Sequence, residues 1–238
     1  MSDTVSKVLR LYKNPLGRDF VVGDIHGCFD LLEKFYQVVN FDKSRDRLLS
    51  VGDVIDRGPD SLLALEYVDK PWFYLVRGNH EEMLIESQKR VYGMYELWMN
   101  NGGEWSDQAT DAKLSEMADY FQTLPYIIEV DTDHGKVGIV HADMPDVMPW
   151  DETLAAVESG KLKDKDLKVY LWARETYRKL RMSLEYPGAI QETTIEGVHK
   201  IYVGHSITKR PAAFGNMMFI DTGAYTNGTL TFVELGIE

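Results

Sequence analysis

Apolar residues in this chain fall in short runs that stop at a turn and are followed at once by Asp, Asn or His. Phe20-Val21-Val22 leads into Gly23-Asp24-Ile25-His26-Gly27, and Leu48-Leu49-Ser50-Val51 into Gly52-Asp53-Val54-Ile55-Asp56-Arg57-Gly58. Trp72 to Val76 stops at Arg77-Gly78 before Asn79-His80-Glu81-Glu82; Val137 to Val140 stops before His141-Ala142-Asp143, and Ile201 to Val203 before Gly204-His205-Ser206. A strand that ends in a turn and presents polar side chains there is a common way to build a site on an α/β scaffold.

The same patterning predicts the elements. Strands are expected at Phe20–Val22, Arg47–Val51 and Trp72–Val76. Each is followed by a helix: about Asp30–Val39, Ser61–Val68 with Asp60 as N-cap, and about Glu81–Arg90. Alternation of this kind implies parallel strands with right-handed crossovers. Residues 1–18 read as polar, with a turn at Asn14-Pro15-Leu16-Gly17. Further along, helices are expected at Met94–Asn100 and Lys113–Gln122, separated by the turn Asn101-Gly102-Gly103. A hairpin should join Tyr126–Val130 to Lys136–Val140 through Asp131–Gly135. Residues 151–182 read as two charged helices with a loop at Ser159-Gly160, and Lys161–Lys168 as a solvated surface. Residues 183–197 carry no interpretable pattern. Strands return at His199–Val203, Met217–Ile220 and Thr229–Leu235.

The 238 residues suffice for one large domain, and the five junctions span nearly all of them, so a single domain over 1–238 is expected. A net charge of −12 argues against a general binder of nucleic acid or anionic membranes. It would also repel anionic substrates unless the site held compensating positive charge. The lone Cys28 excludes an internal disulfide framework, and no apolar run reaches membrane-spanning length; a cytoplasmic protein is expected.

Asp, Asn and His bind divalent metals through oxygen and imidazole nitrogen. A two-metal hydrolase needs ions on the order of 3.5–4 Å apart with a bridging carboxylate. Asp24 and His26 alternate along one segment, so a local turn aims both at one ion. Asp53 is the natural bridge, and Asn79, His141 and His205 complete a second ion. Arg57 is placed to grip a phosphoryl oxygen bidentately. His80 adjoins Asn79, but successive side chains diverge, which suits it to general acid with Asp56 orienting its ring. The alternative role for His80 is structural support of Asn79. Taken alone, Arg174 in Leu171-Trp172-Ala173-Arg174 is a helix-surface arginine.

Gly23-Asp24-Ile25-His26-Gly27, Gly52–Gly58 and Gly78-Asn79-His80-Glu81 resemble the three signatures of the metallo-dependent phosphoprotein phosphatases. His141-Ala142-Asp143, Asn101-Gly102-Gly103, Leu171–Arg174 and Phe219-Ile220-Asp221-Thr222-Gly223-Ala224 are similar to the bacteriophage lambda type of serine/threonine phosphatase. The likeness runs over about residues 18–235. It implies an α/β four-layer metallophosphoesterase fold, two β-sheets sandwiched between helices, with the site at strand C-terminal ends. It implies Asp24, His26 and Asp53 on one metal, and Asp53, Asn79, His141 and His205 on the other. Asp56 and His80 would be the acid pair, and Arg57 and Arg174 the phosphate clamps. Manganese is the metal implied, iron and zinc fitting the donors equally. The substrates implied are phosphorylated proteins or peptides. Eukaryotic members carry His-Gly-Gly at His141-Ala142-Asp143, a departure that weighs against regulatory-subunit docking of their kind. The competing readings are a symmetrical diadenosine-tetraphosphate hydrolase, which shares the early motifs, and a silent scaffold that keeps only the fold.

Overall fold

The computed structural model describes residues 6–145 and 148–236. Its strands are β1 (Val8–Leu11), β2 (Asp19–Val22), β3 (Arg47–Ser50), β4 (Phe73–Leu75), β5 (Ile127–Thr132), β6 (Gly135–Val140), β7 (Lys200–Val203), β8 (Ala212–Phe214), β9 (Met217–Phe219) and β10 (Phe232–Glu234). Its helices are α1 (Phe29–Val39), α2 (Ala64–Val68), α3 (Asn79–Gln88), α4 (Met94–Met99), α5 (Asp111–Gln122), α6 (Trp150–Glu158), α7 (Asp164–Trp172), α8 (Glu175–Glu185) and α9 (Ala224–Asn227), with 3-10 turns at Ser61–Leu63 and Gly103–Gln108.

The strands form two mixed sheets. One runs β10-β2-β3-β4, with β2, β3 and β4 parallel and β10 antiparallel to β2. The other runs β1-β5-β6-β7-β9-β8, in which β5–β6 and β8–β9 are antiparallel. Alternation along each strand decides the packing, because successive side chains point to opposite faces. On β2, Val21 joins a core shared with Ile128, Val130, Ile139 and Tyr202 of the other sheet, while Phe20 and Val22 pack toward α1, α3 and α5. On β7, Tyr202 faces that inter-sheet core while Ile201 and Val203 pack against α6, α7 and α8. Three cores therefore separate four layers. No helix among the described residues is long and apolar enough to cross a membrane.

Several boundaries differ from expectation. Residues 8–11, within the stretch 1–18 that read as polar, form β1 and pair in parallel with β5. β8 and α9 escape pattern reading because three or four residues hold too little periodicity. Asp60 makes no side-chain cap, and the turn after it is 3-10 before α2 begins. Residues 151–182 lie in three helices rather than two: Ala173 is extended (ψ 150°), which ends α7 and starts α8 at Glu175. The supposed solvated stretch buries Leu167. α3 starts two residues early, at Asn79, which puts Asn79 and His80 in its first turn.

Candidate functional site

The turns after β2, β3, β4, β6 and β7 converge at one end of the two sheets. Their geometry is strained: among the described residues, seven non-glycine positions have positive φ, and five of them are His26, Asp53, Asp56, Arg57 and His205. Such conformations cost about 1–3 kcal/mol each and persist where the surroundings over-determine them. Close backbone approach is also needed. A Cβ on Gly78 would collide with Asp53 Oδ1, and one on Gly204 with Asp24 Oδ1.

Asp53 lies at the centre. Its Oδ2 is 3.4 Å from His141 Nε2, 3.7 Å from His26 Nε2 and 3.8 Å from His80 Nε2, while Oδ1 accepts the His80 backbone N–H at 3.0 Å. Two groups of potential ligand atoms meet there, His26–Asp53–His80 and Asp53–His141–His205. Asn79 Oδ1 sits 2.8 Å from His141 Nε2 and 2.7 Å from His205 Nδ1. Ligand atoms about 2.1 Å from one ion and at right angles lie about 3 Å apart, so these spacings fit neighbouring donors around a cation. Ring tautomers agree: Nδ1–H of His26 donates to Ile55 O and that of His141 to Val51 O, both at 2.8 Å, leaving each Nε2 lone pair inward. Burial first, then neighbouring positive charge, lowers His26 to about 3 and His205 to about 2; burial lowers His141 as well. All three are neutral donors at physiological pH.

Asp24 arrives differently. Its Oδ2 accepts the His205 backbone N–H at 2.9 Å, while the buried Oδ1 has no hydrogen-bond donor. Asp221 lies near it and repels its charge. Burial, then the charges of Asp221 and Asp53, raise Asp24 well above the usual carboxylate range, and burial lifts Asp221 to about 6. A divalent cation would relieve that repulsion, so the donors present fit one.

His80 differs from the other histidines. Its Nδ1 is 2.6 Å from Asp56 Oδ2, and its Nε2 is buried without a partner. Burial opposes its charge, but Asp53 and the Asp56 hydrogen bond outweigh this and raise its pKa. Asp56 is held as an acceptor by Trp105 Nε1 at 2.6 Å and Trp98 Nε1 at 3.0 Å. The proximity group therefore contains His80 and not Asp24, but the proton preferences of the two side chains point the other way.

Arg57 Nη1 lies 3.2 Å from His26 Nε2, and its guanidinium stacks 5.0 Å over the Tyr225 ring. Arg174 is no helix-surface residue: it precedes α8 and donates to Ser206 Oγ at 3.1 Å. Asp143, the departure from His-Gly-Gly, accepts Thr176 N–H at 2.8 Å and so fixes the start of α8 beside Arg174.

Sequence reading missed four contributors. Glu81, buried, accepts N–H bonds from Gly78, Asp53 and Val54 at 2.8–2.9 Å and ties two junctions together; burial, then Asp53, raises it to about 7. Trp98 and Trp105 flank the Asn101-Gly102-Gly103 turn, the signal that could have found them. Asp221 follows the apolar run Met217–Ile220 and so repeats the junction pattern a sixth time.

The sequence pattern of the family described as calcineurin-like phosphoesterase matches residues 20–208. Serine/threonine-protein phosphatase 1 of Salmonella typhimurium (strain LT2) is 37% identical over 220 residues, 91% of each chain. The symmetrical bis(5'-nucleosyl)-tetraphosphatase of Actinobacillus succinogenes is 33% identical, over only 57% of this chain and 47% of its own. The structure of a protein serine/threonine phosphatase from Saccharomyces cerevisiae superposes with a TM-score of 0.60 at 18% identity, covering 92% of this chain and 72% of that one.

Proposed function

The chain belongs to the calcineurin-like phosphoesterase family, and from that premise we propose that it is a metal-dependent phosphatase of phosphoserine and phosphothreonine proteins. Asp24, His26 and Asp53 are assigned to one divalent cation, and Asp53, Asn79, His141 and His205 to a second. Manganese is expected, and oxygen and nitrogen donors suit iron or zinc as well. The lone Cys28 supports a reducing, cytoplasmic setting. The observation that carries the reading is His80: a buried imidazole, biased toward its protonated form, with its free Nε2 3.8 Å from the carboxylate at which both ligand groups meet.

When bound, the two cations supply positive charge for the phosphoryl oxygens and lower the pKa of water toward neutrality. Arg57, from the turn after β3, and Arg174, at the start of α8, orient the phosphoryl group through charge-assisted hydrogen bonds. A water oxygen bonds to phosphorus as the P–O bond to serine or threonine breaks; His80 passes its Nε2 proton to the departing oxygen and keeps its Nδ1–H on Asp56. Asp56, fixed by two indoles, stabilises the imidazolium until that transfer. Two arginines beside two dications suit a dianionic monoester better than a singly charged diester. Relatives at 37% identity over nine-tenths of the chain support phosphoprotein substrates, whereas the 33% identity to the Actinobacillus succinogenes tetraphosphatase covers 57% of it.

The test is turnover by manganese-reconstituted protein of a panel of phosphoserine and phosphothreonine peptides, beside diadenosine tetraphosphate. Faster turnover of the peptides agrees with the proposal; preference for the dinucleotide contradicts it.

A further inference from the structure

Two elements leave the site side by side: α8, which begins at Arg174, and the segment 207–213, which follows His205-Ser206. Both are anchored at the site. Arg174 donates to Ser206 Oγ, and Thr208 donates both its backbone N–H, at 2.9 Å, and its hydroxyl, at 3.2 Å, to Asp221 O. One turn along α8, the Tyr177 hydroxyl donates to Ile207 O at 3.0 Å and ties the walls together. Between them runs a groove of about 780 Å³, whose floor includes Leu180, Leu184, Ile207 and Pro211. Leu184 is 69% exposed and extends the apolar lining toward solvent. The far wall ends on β8, the last strand of its sheet.

The rim is basic. Arg181, Lys209 and Arg210 line the groove, all three exposed and without an ion-pair partner among the described residues. On a chain with 38 acidic and 26 basic side chains, these three unpaired cations gather positive charge around one apolar floor. We infer that this groove receives the polypeptide flanking the phosphorylated residue of a substrate. Apolar side chains would lie on the floor, and Asp or Glu against Arg181, Lys209 and Arg210. The inference rests on the phosphoprotein reading above and adds to it a preference for acidic flanking sequence. Position agrees: both walls start where Arg174 meets Ser206, so a chain held by its phosphate at Arg174 would meet the groove next.

The experiment compares kcat/KM for two phosphopeptides that share a phosphorylated centre and differ only in carrying acidic or neutral amide flanks. Wild-type protein should favour the acidic peptide on the order of tenfold, as three exposed ion pairs acting together allow, and added salt should erode the preference. The triple variant R181E/K209E/R210E should lose the preference through KM and leave turnover of p-nitrophenyl phosphate unchanged. A control, K70E/K89E/K161E, changes net charge equally at exposed lysines elsewhere and should keep the preference. Equal loss in the control would overturn the inference, since overall charge would then explain it, and so would a wild type indifferent to flanking charge. Loss of p-nitrophenyl phosphate turnover in the triple variant would also count against it. If neither peptide is turned over while diadenosine tetraphosphate is, the phosphoprotein reading itself fails.

Discussion

Two buried carboxylates flank Asp53, and the protein surrounds them in opposite ways. Asp56 receives donors from His80, Trp98 and Trp105, so its charge is satisfied by the protein alone. Asp24 has one backbone donor, faces a second carboxylate in Asp221, and keeps an oxygen with no donor at all. A carboxylate saturated with donors has little left to offer a metal and serves to hold a charged histidine. One left in repulsion is finished only by a cation. On the proposed reading this contrast, and not distance, tells acid from ligand within one cluster.

Removing the metal should break the comparison most visibly. Chelation is expected to abolish turnover while the Asp56 side persists, so the near-UV circular dichroism of Trp98 and Trp105 should survive; its collapse would show that the two sides are not independent. His80→Asn comes next, with kcat toward alkyl phosphates falling roughly 10²–10⁴ and metal content retained. The loss should shrink for p-nitrophenyl phosphate, whose leaving group departs unassisted. The pH profile carries the same information. His80 has a raised pKa, so its acid form is present below that value and lost above it. Wild-type kcat should therefore fall on the alkaline side, and the variant should lack that limb.

Smaller changes sharpen the distinction. Asp221→Asn should weaken metal affinity about 10–100-fold, with saturating metal restoring kcat, because it acts only on how Asp24 is held. Trp105→Phe should leave metal affinity alone and lower stability by about 1.5–3 kcal/mol in urea unfolding, the value of a hydrogen bond to a charged acceptor. Exchange of these two phenotypes would invert the account.

How much of this was legible in the sequence depends on the range of each interaction. Strand, turn and helix at residues 20–90 are local, so short apolar runs and glycines predicted β2, β3, β4 and the residues that follow them. Asn79 and His80 stood out because an apolar run ended beside them. The Asn101-Gly102-Gly103 turn marks the neighbourhood of the two indoles, but nothing local says that they reach Asp56 from 42 and 49 residues away. Glu81 read as an ordinary acidic residue in a first helical turn, yet its carboxylate joins two junctions. Arg174 looked like part of a continuous charged helix until the chain broke at Ala173, a break set by Asp143 on another segment. Short edge strands such as β1 and β8 were lost for want of periodicity.

The central claim is that Asp53 is shared between two cations. Elemental analysis of reconstituted wild-type protein and of Asp53→Asn, at matched free manganese, tests it directly. The account predicts two ions per wild-type chain and loss of that pair in the variant. Two ions per chain retained in Asp53→Asn would contradict it.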